Sequence, residues 1–131
     1  MIITIFGGSG GIGKFLINYA IEEGYQVKAY VRNPNKIDLY NPNLEVIKGD
    51  LNDLQGIRKA ISGAYAVIST LGSPLNYSYN GYPVLDGHKN IIAAMHAENI
   101  SRFITLATPS VKFFNEFIFT NLYILSLLLS Y

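Results

Sequence analysis

Hydrophobic residues in this chain fall in short runs separated by glycine, proline and polar clusters, and the period changes from run to run. Ile2–Phe6 is a β-branched run of strand length. Lys14–Glu23 reads as a helix with Phe15, Leu16, Tyr19 and Ala20 on one face, and Gly24 ends it as a left-handed cap. Gln26–Val31 is a second strand. The turn "RNPNK" (Arg32–Lys36) follows, where Pro34 blocks both ladder and helix. Leu44–Lys48 is a third strand, and Asp53 caps a helix that runs to Ser62 and stops at Gly63. Ala66–Thr70 is a fourth strand, followed by a polar, tyrosine-rich loop over Gly72–Pro83. Val84–Asn99 is a helix with Ile91, Ile92, Met95 and His96 clustered at helical spacing, and Phe103–Ala107 is a fifth strand. Strands and helices alternate. Such alternation implies crossover connections and a doubly wound α/β fold, a parallel sheet with helices on both faces. No internal repeat or linker divides it, so one domain is expected.

In such a sheet ligands sit beyond the carboxyl ends of the strands. The stretch "IFGGSGGIGKF" puts five glycines directly after the first strand and before the first helix. Ordering glycine costs backbone entropy, so this density asks for a reason. Unpaired amides and the helix dipole at that point favour an anion such as pyrophosphate. Gly7 permits the turn, Gly10 lets phosphates approach the backbone, and Gly13 lets the helix pack close to the sheet. Gly8 and Gly11 allow alternative registers, including a G-x-G-x-x-G match from Gly8 to Gly13. The candidate contacts here are Gly7, Ser9, Gly10, Gly11, Ile12 and Gly13.

The end of the second strand distinguishes the nicotinamide dinucleotides. An NAD site places a carboxylate there for the ribose 2′-hydroxyl. This chain has Arg32, with Asn33 and Lys36 beyond it and no acid before Asp38. A guanidinium pairs bidentately with a 2′-phosphate, so NADP(H) is expected over NAD(H). In "KGDLND", Asp50 follows the third strand on the same edge, where its carboxylate can accept from an adenine amino group and the Leu51 amide can donate back. Asp50 acting only as a turn residue is the alternative. Thr70, Leu71 and Gly72 end the fourth strand and would lie beside the riboses.

Composition narrows the field further. The chain has 131 residues, a formal net charge of +1, 50% hydrophobic residues and 15% charged ones, which suits an ordered single domain and disfavours a nucleic-acid binder. It has no cysteine, which excludes disulfides, thiolate metal sites and a thiol nucleophile, and fits the cytoplasm. The start "MIITIF" has no basic region or cleavage site of a signal peptide. His88 and His96 lack enough partners at ligand spacing for a metal, and none is expected; His88 could instead bond a backbone group. Tyr77, Tyr79 and Tyr82 alternate in the long loop, as flanks for a planar substrate or as an ordinary surface loop.

With "IFGGSGGIG", "VRNPNK", "GDLND", "VISTLG" and "HKNIIAAMHAENISRFITLAT" in hand, the chain resembles the short-chain dehydrogenase/reductase superfamily over about residues 2–110. Within that superfamily it is similar to the atypical NmrA-like branch that includes flavin reductase and biliverdin-IXβ reductase. The resemblance implies a Rossmann-type sheet of about five strands in the order 3-2-1-4-5. It also implies pyrophosphate at Gly7, Gly10 and Gly13, 2′-phosphate at Arg32, and adenine at Asp50 and Leu51. Thr108, with Ser110 two places on, corresponds to the hydroxyl residue that faces the nicotinamide. The implied activity is an NADPH-dependent oxidoreductase acting on a planar small-molecule acceptor. The wider superfamily's Tyr-x-x-x-Lys is missing, since no tyrosine is followed by lysine four places on. The flavin and biliverdin reductases manage without that pair.

Proteins of this kind normally continue for roughly 70 to 100 further residues. The resemblance therefore reads as truncated after the fifth strand, with residues 1–110 as the NAD(P)-binding domain and 111–131 as an apolar segment. Phe113–Tyr131 carries no charge after Glu116, and Phe114, Phe117, Ile118, Leu122 and Leu125 recur at helical spacing. Its uncharged part is shorter than the roughly 20 residues of a membrane span, so an anchor is disfavoured. A helix or strand docked on the domain, or on a second copy in a homodimer, is expected. A non-catalytic NADP(H) redox sensor and a truncated enzyme fragment are the alternatives to a reductase.

Overall fold

The computed structural model describes residues 1–72, 83–107 and 123–127. In chain order the elements are β1 (Ile2–Phe6), α1 (Gly11–Glu22), β2 (Gln26–Val31), a 3-10 turn (Pro34–Lys36), β3 (Leu44–Lys48), α2 (Leu54–Ile61), β4 (Ala66–Ser69), α3 (Pro83–Ala97), β5 (Phe103–Ala107) and β6 (Tyr123–Leu127). The sheet order is β3-β2-β1-β4-β5-β6. The first five strands are parallel, in the expected order 3-2-1-4-5. One strand more than expected is present. β6 returns antiparallel along β5, with Phe103 opposite Leu127 and Ala107 opposite Tyr123. Residues 123–127 are therefore a docked strand, and the helical spacing that included Leu125 does not describe them. Phe113, Phe114, Phe117, Ile118 and Leu122 lie outside the described residues.

Local signals account for most boundaries. α1 ends in a Schellman arrangement: the Gly24 amide donates to Ile21 O at 3.0 Å, the Tyr25 amide to Ala20 O at 2.9 Å, and Gly24 has φ +84°. α3 ends in the same way two residues earlier than the hydrophobic pattern suggests, with Asn99 at φ 55° and the Ile100 amide on Met95 O. Asp53 caps α2 as expected, its Oδ1 accepting from the Gly56 amide at 2.9 Å.

Two apolar layers hold the sheet. On one face Phe6, Tyr30 and Val67 pack against Ile57, Ala60 and Ile61 of α2 and Ile91, Ala94 and Met95 of α3. On the other, Ile3, Ile5, Val27 and Ala29 pack against Ile17 and Ala20 of α1. Each fully buried large apolar side chain stabilises by roughly 1.5–3 kcal/mol. The expected face of α1 holds at Ala20 but not at Phe15 and Tyr19. Gly13, Ile17 and Ala20 are buried, whereas Phe15 is 72% and Tyr19 53% exposed. A helix seated close on a sheet uses small residues at the contact, and an index of hydrophobicity favours the aromatic side instead. On α3, Ile91 and Met95 are buried as expected, while Ile92 and His96 are exposed.

Candidate functional site

All five parallel strands end at one edge, which brings together residues 7–10, 32–33, 49–53 and 70–72. Gly7 leaves β1 with φ +82°, and a Cβ there would stand 2.7 Å from Thr70 Oγ1. That hydroxyl lies 3.1 Å from the carbonyl oxygens of both Phe6 and Gly7, tying the end of β4 to the end of β1. Gly13 packs on the same turn, where a Cβ would collide with the Gly7 oxygen. Two glycines are thus required by the fold itself.

Gly10 and Gly11 are different. A Cβ on Gly10 would meet only the Gly7 oxygen, at 3.5 Å, and a Cβ on Gly11 would meet nothing within 4 Å. Gly10 is the N-cap of α1 in an extended conformation, no side chain caps the helix, and its first turn has no acid. The Lys14 amide reaches back to Gly10 O at 2.9 Å. The amides of Gly11, Ile12 and Gly13 find no acceptor among the described residues. Uncapped amides at the positive end of a helix dipole form an anion site, and the bare Cα atoms leave room for the anion to approach. Ser9 lies half-buried in this loop, and the Ile12 side chain is 58% exposed.

Arg32 follows β2 on the same edge, is exposed, and makes no ion pair among the described residues. The Asn33 side-chain oxygen accepts from the Asn35 amide at 3.1 Å, which leaves its NH2 group to donate elsewhere. Lys36 is exposed in the last turn of the 3-10 segment. Asp50 is exposed, and its Oδ1 accepts from the Asn52 amide at 2.8 Å, so the turn role weighed above is real and occupies one carboxylate oxygen. Leu71 packs against the α2–α3 core layer, while a Cβ on Gly72 would meet open space. Thr108, Ser110, Tyr77, Tyr79 and Tyr82 lie outside the described residues.

The sequence reading missed three polar braces under this edge. Ser69, fully buried at the end of β4, lies 2.7 Å from His88 Nε2 and accepts from the Leu71 amide at 3.4 Å. His88 thus meets a side-chain hydroxyl rather than the backbone. Burial lowers its pKa, so the ring stays neutral at physiological pH. Tyr30 and Asn90 reach the 49–53 turn from β2 and α3. Their sequence signals are two glycines: Gly49, where a side chain would collide with the Tyr30 ring, and Gly87, where a Cβ would crowd the Leu51 side chain. No cluster of three or more metal-ligating residues occurs among the described residues, and no helix among them is long and apolar enough to cross a membrane.

A parallel 3-2-1-4-5 sheet with a glycine turn opening on an uncapped helix defines a Rossmann-type nucleotide-binding domain. The family of NAD(P)H-binding domains matches residues 7–124, and the chain belongs to it. It is 36% identical over 120 residues to the 2-alkyl-3-oxoalkanoate reductase of Stenotrophomonas maltophilia (strain K279a), covering 85% of this chain and 34% of that protein. It is 32% identical over 116 residues to the photosystem II assembly factor Ycf39 of Trieres chinensis, covering 87% of this chain and 36% of that one. Among solved structures it is similar to a Rossmann-fold NAD(P)-binding family protein from Shigella flexneri, with a TM-score of 0.66 and 25% identity over 78% of this chain and 49% of that one. The chain spans about a third of the length of these curated relatives.

Proposed function

We propose that this domain binds NADPH in preference to NADH and serves an NADPH-dependent reductase of the flavin-reductase or NmrA-like type. The observation that carries the reading is the pairing of the uncapped turn at Gly10 and Gly11, bare of side chains, with an exposed Arg32 on the same sheet edge that makes no ion pair among the described residues. The Gly11, Ile12 and Gly13 amides would hold the pyrophosphate, Arg32 and Asn33 the 2′-phosphate, and Asp50 with Leu51 the adenine. Thr70, Leu71 and Gly72 would border the riboses, with Thr70 keeping the glycine turn in place through its two carbonyl contacts. When bound, the reduced nicotinamide supplies the hydride. Thr108 and Ser110 would orient a planar acceptor. The lack of cysteine suits a reducing compartment such as the cytoplasm.

A second reading has its own support. One relative bears the name of an assembly factor, not of an enzyme, and NADP(H) binding without turnover would fit a chain of that kind. Calorimetric titration with NADPH and NADH, repeated on Arg32→Ala, tests the binding reading. NADPH should bind more tightly, and the variant should lose about tenfold in NADPH affinity while NADH changes little. Equal affinities unaffected by the substitution would overturn the assignment of Arg32. NADPH oxidation with flavin and quinone acceptors then separates reductase from sensor, and turnover should fall in Thr108→Ala.

A further inference from the structure

The turn after β3 is held from two sides by residues far away in sequence. Tyr30 of β2 donates its hydroxyl to the carbonyl oxygen of Asp50 at 3.0 Å. Asn90 of α3 donates its amide NH2 to the carbonyl oxygen of Leu51 at 2.8 Å. Glycines make both approaches possible. At Gly49 a side chain would collide with the Tyr30 ring, and at Gly87 a Cβ would stand 2.7 Å from Leu51 Cδ1. Tyr30 is 3% exposed and its ring centroid lies 5.3 Å from that of Phe6, so its position is set by the core. Burial, followed by the charges of Asp53 and Asp50, raises the Tyr30 pKa, and the phenol remains a donor at physiological pH.

Peptide geometry turns these two contacts into an aim. The Asp50 carbonyl and the Leu51 amide belong to one planar trans unit and point in opposite directions. By drawing that carbonyl inward, Tyr30 turns the Leu51 N–H away from the core, and this amide has no acceptor among the described residues. The Leu51 carbonyl and the Asn52 amide form the next plane. Asn90 holds the carbonyl of that plane, and the Asn52 N–H donates to Asp50 Oδ1 at 2.8 Å, which sets the carboxylate and leaves Oδ2 with no partner among the described residues. One brace thus aims a donor and the other an acceptor, side by side on a single turn.

We infer that Tyr30 and Asn90 are positioning residues that pre-set the Asp50 carboxylate and the Leu51 amide to read an adenine edge, and so set the base selectivity of the site. This inference rests on the dinucleotide reading above. An adenine edge offers an amino donor beside a ring-nitrogen acceptor. Hypoxanthine reverses both, with an oxo acceptor beside a ring N–H. A correctly aimed Asp50–Leu51 pair therefore favours the first and rejects the second, because a mismatched pair leaves polar groups without partners.

The test titrates the full chain and two variants, Tyr30→Phe and Asn90→Ala, with NADPH and with its hypoxanthine analogue. The unsubstituted chain should prefer NADPH by about tenfold or more. Each variant should shrink that preference to within about threefold, by weakening NADPH rather than the analogue. Tyr30→Phe keeps the core ring, so it serves even if Asn90→Ala folds poorly. A purely structural role would weaken both ligands equally and leave the ratio intact, and that result would overturn the inference. Equal binding of both ligands by the unsubstituted chain would also overturn it while leaving the dinucleotide reading standing. Binding of neither would remove both.

Discussion

Ser69 Oγ and His88 Nε2 lie 2.7 Å apart beneath the sheet edge, joining the end of β4 to the first half of α3. Ser69 is fully buried, and the imidazole sits edge-on to Phe103 with ring centroids 5.9 Å apart. A charged ring is disfavoured there, and burial lowers its pKa. The unfolded chain therefore takes up a proton near pH 6.5, the ordinary imidazole value, that the folded chain refuses. The stabilisation from neutral His88 is fully present above about pH 6.5 and is lost as the pH falls through the lowered pKa. Urea unfolding between pH 7.5 and 5 should show stability declining by at most about 1.4 kcal/mol per pH unit from this one proton. His88→Gln should flatten that slope while His96 remains in both chains. Parallel slopes would mean that His88 is not the titrating group.

Thr70 makes a second prediction at the same edge. Its hydroxyl lies 3.1 Å from two carbonyl oxygens, those of Phe6 and Gly7, while its own amide already donates to Phe6 O at 2.9 Å. Thr70→Val keeps the shape and the backbone bond but removes the hydroxyl. Stability should fall by about 0.5–1.5 kcal/mol, and NADPH affinity should fall with it because the Gly7 turn loses its tie. Thr70→Ser should stay close to the original protein in both. Denaturation midpoints and calorimetry on the three proteins check this.

Much of the fold was legible because strand runs in a parallel sheet are short, apolar and punctuated. Gln26–Val31, Leu44–Lys48 and Phe103–Ala107 are strands with the limits the pattern indicates. The face of α1 was legible only at Ala20: Phe15 and Tyr19 lie on the exposed side, and the seat runs through Gly13 and Ile17, of which Gly13 adds nothing to an apolar periodicity. β6 was legible only as one of two choices, a docked helix or a docked strand, because an antiparallel return breaks the strand–helix alternation from which the rest was read. The backbone half of the site could be read from the glycines and from their place between strand and helix. Its braces could not be. Tyr30 meets a carbonyl 20 residues away and Asn90 one 39 residues away, and polar side chains that bond to backbone leave no periodic trace.

Thr4 offers a test of how the sheet holds α2. Its side chain is fully buried on β1, and its hydroxyl donates to Ala60 O at 3.0 Å. That carbonyl lies in the last turn of α2, where no amide within the helix is left to reach it. Thr4→Val fits the strand but leaves the carbonyl buried without a donor. The expected loss is about 1–3 kcal/mol, read as a lower urea midpoint at unchanged slope. A loss below about 0.5 kcal/mol would indicate that the carbonyl finds another donor.

The glycines of the first turn separate folding from binding. A Cβ on Gly13 would collide with the Gly7 oxygen and come within 2.7 Å of Gly8 Cα, and backbone cannot step aside as a side chain can. Gly13→Ala should therefore lose about 1–3 kcal/mol or more of stability, and NADPH binding should fail with it. A Cβ on Gly10 would meet only the Gly7 oxygen at 3.5 Å, at φ −79° and ψ 167°, which alanine adopts freely. Gly10→Ala should change stability by less than about 1 kcal/mol, the weaker helix cap being its main cost. Its methyl group would still stand where a pyrophosphate must approach the backbone, so NADPH affinity should drop by on the order of tenfold or more. Thermal melts and NADPH titrations on both variants decide the matter. If Gly10→Ala binds like the original protein, the phosphate does not pass over Gly10.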